Sequence, residues 1–279
     1  MNSGAQVQDK FITLNELKFH YREWGNADAP ALLLLHGLTG HARTWDTVAQ
    51  AMQDRYHVLA LDQRGHGETE WAKDYSWLAM RDDIGSFARA LGLHRFSLLG
   101  HSMGGGNAYR YAGAYPGTLE RLVIDDVGPP IPKPPAPSSG PSAEAPWRDA
   151  FDTKEEMVKF VGAGFPHFQH SELLTLLYYA RQLDDGRWTW GHDPAGFYAI
   201  NSDPSFPTPE ELWALVSKIA CPTLVVRGEE STNLSREQAE RMMREIPNCR
   251  LVEIQGVGHE VQWSKPGEFV VAVRDFLTG

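Results

Sequence analysis

The chain has 279 residues, at the upper end of what one hydrophobic core supports, with 42% hydrophobic and 22% charged residues. Its 36 acidic residues against 26 basic ones give a formal net charge of −10, which repels phosphate backbones and anionic membrane surfaces and sets nucleic acid and membrane aside as partners. No apolar run reaches membrane-spanning length and the first ten residues hold no apolar signal core, so a cytoplasmic protein with two reduced cysteines, Cys221 and Cys249, is expected.

In chain order, Leu17–Trp24 alternates as a strand in an edge hairpin does. Ala31–Leu35, His57–Leu61, Phe96–Leu99, Leu122–Ile124, Thr223–Val226 and Leu251–Ile254 read as strands buried on both faces. Helical spacing falls between them, near Arg43–Met52, Met80–Leu91, Met103–Tyr115, Ser235–Ile246 and Pro266–Leu277. Alternating strands and helices predict an α/β fold. Its mostly parallel sheet is covered on both sides, with the ligand crevice at the carboxyl ends of the strands.

The alternation breaks after Leu122–Ile124. Residues 129–147, rich in Pro, Ser and Ala, predict an irregular lead-in. Glu155–Val161 and Glu172–Leu183 then read as helices, and Arg187–Trp190 as a short irregular or strand-like piece. The expected division is a core of residues 1–128 and 210–279 carrying a helical cap over 129–209. Aromatics of that insertion, among them Phe160, Phe165, Phe168, Trp188 and Trp190, suit cap packing and an apolar substrate wall.

Gly100-His101-Ser102-Met103-Gly104 follows the strand Phe96–Leu99 directly. A strand-to-helix turn this tight puts a serine at the top of the sheet in a strained backbone conformation, and small residues two before and two after it avoid clashes. Its hydroxyl also sits near a helix N-terminus, where developing negative charge is favoured. His36-Gly37-Leu38 ends another buried strand in a glycine turn, so the backbone N–H groups of Leu38 and Met103 are candidates for an oxyanion hole. Gly256-Val257-Gly258-His259 follows the last strand, and chain order after the serine marks His259 as the base.

With HGLTG at 36–40, DQRGHGET at 62–69, GHSMGG at 100–105 and GVGH at 256–259, nearly the whole chain resembles the capped α/β-hydrolases. The resemblance implies an eight-stranded sheet and a helical cap inserted after strand six; acyl transfer through a serine requires no cofactor. It does not identify a substrate, because the scaffold carries many chemistries.

A histidine base needs an anion on its other nitrogen. Most relatives place that acid after strand seven, in a segment resembling R-G-x-x-S-D, but here the segment reads Arg227-Gly228-Glu229-Glu230-Ser231-Thr232-Asn233, with uncharged Thr232 at the expected position. Haloalkane dehalogenases offer another arrangement, with the acid after strand six. Asp126, in Ile124-Asp125-Asp126-Val127-Gly128, resembles it in spacing from the nucleophile; Asp125 would point the opposite way in extended backbone. Glu229 and Glu230 stay open as alternatives. Arg64 suits a structural salt bridge, Trp45 and Trp71 suit either pocket or core, and His167, His170 and His192 lack the supporting ligands of a metal site.

The expected function is hydrolysis of an ester, lactone or activated amide of a small, moderately hydrophobic molecule. Ser102 would attack, His259 with Asp126 would move the proton, and Leu38 and Met103 would hold the oxyanion. A cofactor-free dioxygenase, a perhydrolase and a slow-turnover receptor are the rival uses of the scaffold.

Overall fold

The computed structural model describes residues 7–130, 148–165 and 168–279. Eight strands form one sheet: β1 (Gln8–Leu14), β2 (Leu17–Trp24), β3 (Ala31–Leu35), β4 (His57–Leu61), β5 (Phe96–His101), β6 (Leu119–Asp125), β7 (Thr223–Gly228) and β8 (Cys249–Ile254). Their order is β1-β2-β4-β3-β5-β6-β7-β8. β1 and β2 run antiparallel at one edge, β2 pairs antiparallel with β4, and the remaining neighbours are parallel. Helices α1 (Asp46–Met52), α2 (Trp77–Ala90) and α3 (Met103–Ala114) fall between the first six strands.

The sheet is covered on both faces, which explains the unbroken apolar runs in its central strands. Leu33 and Leu35 face a cluster with Phe87 of α2 and Tyr109 of α3. Leu32 and Leu34 face the other way, onto Trp45 and Met52.

Between β6 and β7 the chain leaves the sheet. It forms α4 (Lys154–Gly164), α5 (His170–Leu176), a two-stranded hairpin of Arg181–Gln182 with Trp188–Thr189, then α6 (Pro194–Ser202) and α7 (Pro209–Val216). Phe151, Met157, Val161, Leu173, Leu177 and Trp190 make a separate apolar cluster here, whereas Leu212, Trp213 and Val216 of α7 join the sheet's own core. The chain closes with α8 (Arg236–Glu245), α9 (Val261–Ser264) and α10 (Pro266–Thr278), which packs Phe269, Val273 and Phe276 beside Trp45. Cys221 and Cys249 are free.

Three expectations need correction. The helix expected over Glu172–Leu183 stops at Leu176, because Tyr179 turns back onto the core. Its ring meets His41 edge-on at 4.9 Å and its hydroxyl accepts from Arg43 (3.1 Å). The stretch Arg43–Met52 is two pieces, a 3₁₀ turn over Ala42–Trp45 and then α1. Strand β1 and helices α6 and α7 were not anticipated. Both helices begin with Pro at a first-turn position, where the missing N–H costs nothing. Most of the lead-in expected over 129–147, residues 131–147, lies outside the described residues, as does His167. Among the described residues no helix is long and apolar enough to cross a membrane.

Candidate active site

Ser102 stands between β5 and α3 with φ 50° and ψ −115°. A non-glycine residue there stores on the order of 1–3 kcal/mol of backbone strain, tolerated where the surroundings over-determine the turn. They do so through glycines. A Cβ on Gly100 would lie 2.3 Å from the Gly104 carbonyl oxygen, and one on Gly104 would lie 2.3 Å from that of Leu35. Strand, turn and helix therefore meet backbone to backbone, and the serine side chain is left projecting at the carboxyl end of the sheet.

The carboxyl ends of neighbouring strands bring the partners. His259, in the turn after β8, directs Nδ1 to Asp126 Oδ2 (2.8 Å) and Nε2 to Ser102 Oγ (2.9 Å). A carboxylate only accepts, so Nδ1 carries the proton and Nε2 offers its lone pair to the serine hydroxyl. Asp126 follows β6, is fully buried and also has a left-handed backbone (φ 50°). Its Oδ1 accepts from the Gly228 N–H (3.0 Å) and its Oδ2 from the Ser231 hydroxyl. Ser231 in turn accepts from the N–H groups of Asn233 and Leu234 (3.1 and 3.2 Å). The loop after β7 thus supplies hydrogen-bond donors to the carboxylate, and the residue that reaches it is Ser231; Thr232 is exposed. Glu229 and Glu230 are exposed too, Glu229 accepting from the Gly256 N–H (3.0 Å).

Asp125 turns to the opposite side of the strand and meets His101 Nδ1 (2.9 Å), whose Nε2 faces Glu260 (3.3 Å). Both nitrogens face carboxylates, so His101 is an imidazolium. Burial opposes that charge, but Glu260 and Asp125 outweigh it and raise the ring to about 10. For Glu260, burial works against ionisation yet His101 holds the carboxyl down at about 2. Burial raises Asp125 to about 6 despite its imidazolium partner. The two imidazole rings, of His101 and His259, lie 4.7 Å apart. Sequence reasoning missed His101, Glu260 and Ser231 as members of this centre. Among the described residues, His101, His259 and Glu260 are the one group that could offer three metal-ligand atoms within 4.8 Å of one another.

Above Ser102 lies a cavity of about 180 Å³. Phe165, Phe168 and Leu176 of the insertion and Trp263 of α9 form its apolar wall, with Phe168 stacked on Trp263 at 5.1 Å. Leu38 lines the same cavity. Gly37 packs so closely on the nucleophile turn that a Cβ there would sit 2.9 Å from His101 Cδ2. Met103 is the first residue of α3, so its N–H has no acceptor within the helix. The other residues weighed have structural places: Arg64 grips Asp83 through two nitrogens (2.6 and 2.7 Å) and Trp45 is buried in the core. Trp71 is exposed away from the cavity, and Trp190 packs in the insertion's cluster.

The profile of the alpha/beta hydrolase family matches residues 32–273. The chain belongs to that family. This α/β-hydrolase is 31% identical to the 3-hydroxybutyrate-oligomer hydrolase of Cupriavidus necator, over 93% of its own length and 92% of the relative's. It is 30% identical to the N-formylmaleamate deformylase of Pseudomonas putida, over 95% of both chains. The crystal structure of E-2-(acetamidomethylene)succinate hydrolase superposes with a TM-score of 0.84 over 98% of this chain and all of that one; at 21% identity it speaks to the fold alone. The protein is a hydrolase.

Proposed function

We propose that this α/β-hydrolase cleaves an ester, lactone or activated amide of a small, moderately hydrophobic molecule through an acyl-enzyme on Ser102. The observation that carries the reading is the unbroken line Ser102 Oγ–His259 Nε2 (2.9 Å) and His259 Nδ1–Asp126 Oδ2 (2.8 Å). Ser102 attacks the carbonyl carbon as His259 takes its proton, and Asp126 stabilises the imidazolium that forms. The N–H groups of Leu38 and Met103 receive the oxyanion. His259 then returns the proton to the leaving group, and water deacylates the serine by the same route in reverse.

The described residues of the 129–209 segment act as a cap over the site, since Phe165 and Phe168 wall the cavity. A 180 Å³ space is small beside the 300–1,000 Å³ typical of drug-sized ligands, which favours a short acyl group. The names of the two sequence relatives support an acyl C–O or C–N bond as the target. No step needs a cofactor, and the negative net charge favours a small-molecule substrate over nucleic acid or an anionic membrane surface.

Rapid mixing with p-nitrophenyl acetate and butyrate tests this. A burst followed by turnover, both lost in Ser102→Ala, is expected. Folded protein without turnover would sink the hydrolytic mechanism and turn attention to oxygen consumption or to slow, tight ligand binding.

A further inference from the structure

The DQRGHGET segment after β4 takes no part in the chemistry described so far, yet it grips the His36-Gly37-Leu38 turn from behind. The Gln63 backbone N–H donates to His36 Nε2 (3.0 Å), and its side-chain amide donates to the His36 carbonyl (2.7 Å). Gln63 Oε1 accepts from Asn107 Nδ2 (2.7 Å), and Asn107 Oδ1 accepts from the buried Arg110 guanidinium (2.6 Å). With Nε2 committed as an acceptor, the His36 ring carries its proton on Nδ1 and donates it to the Gly37 carbonyl (2.7 Å).

That carbonyl, which accepts from the Gly40 N–H as well (3.0 Å), belongs to the same peptide unit as the Leu38 N–H. A trans peptide holds C=O and N–H antiparallel, so pinning the Gly37 oxygen fixes the direction of the Leu38 N–H on the opposite side. The next peptide is held as well, since His66 Nε2 meets the Leu38 carbonyl at 2.6 Å. His36 and His66 are both buried, with ring centroids 4.9 Å apart.

We propose that His36 is a positioning residue for the oxyanion hole: Gln63 sets its tautomer, and its Nδ1–H aims the Leu38 N–H at the oxygen that becomes negative. This rests on the acyl-transfer reading of Ser102 and Leu38. Burial keeps His36 neutral by holding it down at about 3, which preserves the acceptor at Nε2 through the working pH range. An imidazolium would set a second N–H against that of Gln63.

The experiment compares His36→Asn, His36→Gln and His36→Leu. An asparagine amide nitrogen occupies the place of Nδ1, whereas a glutamine's reaches that of Nε2. With p-nitrophenyl butyrate, His36→Leu and His36→Gln should lose on the order of 10²-fold in kcat with little change in KM, as expected when one oxyanion donor is misaligned. His36→Asn should recover most of that loss. Inhibition by a trifluoromethyl ketone, whose adduct places an oxyanion in the hole, should weaken in parallel with kcat. Equal losses in the Asn and Gln variants, or full kcat in His36→Leu, would overturn the proposal.

Nitrogen-15 NMR of the wild-type histidines provides a readout that needs no variant to fold. His36 should show the Nδ1–H tautomer with no protonation down to about pH 5, as a ring this deeply buried does. An Nε2–H tautomer refutes the inference even in an active enzyme. Absence of esterase turnover in the wild type would instead refute the acyl-transfer reading, while leaving the tautomer measurement to stand by itself.

Discussion

Replacing Asp126 by asparagine tests the centre most directly, because the structure fixes what the amide must do. The carboxylate accepts from three donors: the Gly228 N–H on Oδ1, and the Ser231 hydroxyl and the His259 Nδ1–H on Oδ2. An amide has one oxygen. If that oxygen stays on Gly228, the NH₂ faces His259, the ring proton moves to Nε2, and the base donates to Ser102 instead of accepting from it. If the amide flips, its NH₂ opposes the buried Gly228 N–H, which costs about 1–3 kcal/mol and leaves roughly one molecule in 5 to 150 competent. In that minority the hydrogen bond to His259 has lost its charge. A neutral acceptor in place of an ionised one forfeits about 1 kcal/mol more as the imidazolium forms. The two effects multiply to a fall of roughly 30- to 900-fold in kcat, approaching the ~10⁴-fold cost of a wrong tautomer in a Ser-His-Asp triad if flipping is blocked. Single-turnover hydrolysis of p-nitrophenyl butyrate, with a thermal melt to show that Asp126→Asn is folded, measures it. A kcat within about tenfold of wild type would refute the assignment, since it lies below what either orientation predicts.

The same geometry predicts which double variant restores the acid. Asp126→Asn/Ser231→Asp should regain part of the lost kcat, because position 231 already touches the carboxylate site, whereas Asp126→Asn/Thr232→Asp should not, because Thr232 is exposed. Glu260→Gln should lower stability most between about pH 4.5 and 6.5. Glu260 is held down to about 2, so its stabilisation is present above its ordinary range and lost as pH falls; His101 is raised to about 10, so its share is lost as pH climbs toward that value. Urea titrations of both proteins from pH 3 to 10 should give a bell-shaped difference, and a flat one would show that the pair is not ionised as described. Acyl chain length should matter, with p-nitrophenyl acetate and butyrate turning over faster than the laurate in a 180 Å³ cavity closed by Phe168 and Trp263. Equal kcat/KM for laurate would mean that the aromatic wall moves aside.

The parts of the fold most legible in the sequence were those set by short-range physics. Ala31–Leu35 and His57–Leu61 have the bounds read from their apolar runs, because burial on both faces leaves only apolar residues after His57, whose ring meets Glu23. Strand β1 escaped because its residues are mostly exposed and its Phe11 stands half in solvent, so alternation carried little contrast. Pro194 and Pro209 masked two helices, since proline signals a break unless the first helical turn is already known. The glycine-bearing turns at 36–40, 100–104 and 256–259 were readable because each needs a particular residue at a fixed offset. The contacts of His101 and Ser231 were not, since each depends on a loop from a distant part of the chain arriving at the same strand end.

On the proposed assignment of Asp126 as the acid, a residue absent from one loop is accommodated by its neighbour. β6 and β7 are paired, Asp125 standing beside Val226, so the loops that leave them start side by side beneath His259. At the end of β7 the backbone is already pressed against the histidine turn: a Cβ on Gly228 would come 2.1 Å from the Gly258 carbonyl oxygen. No side chain can leave β7 at that point, so any acid from this strand must come from further along the loop, and the residue that arrives there is Ser231. A carboxylate from β6 needs no such detour. It enters beneath the turn from Asp126, whose left-handed backbone bends the side chain away from Asp125, and it leaves the β7 loop to contribute the Gly228 N–H and the Ser231 hydroxyl. Charge and its hydrogen-bond support are therefore divided between two adjacent strand ends. Neutral Ser231 and Thr232 in the β7 loop are compatible with the proposed proton relay because a carboxylate is supplied one strand away, by Asp126.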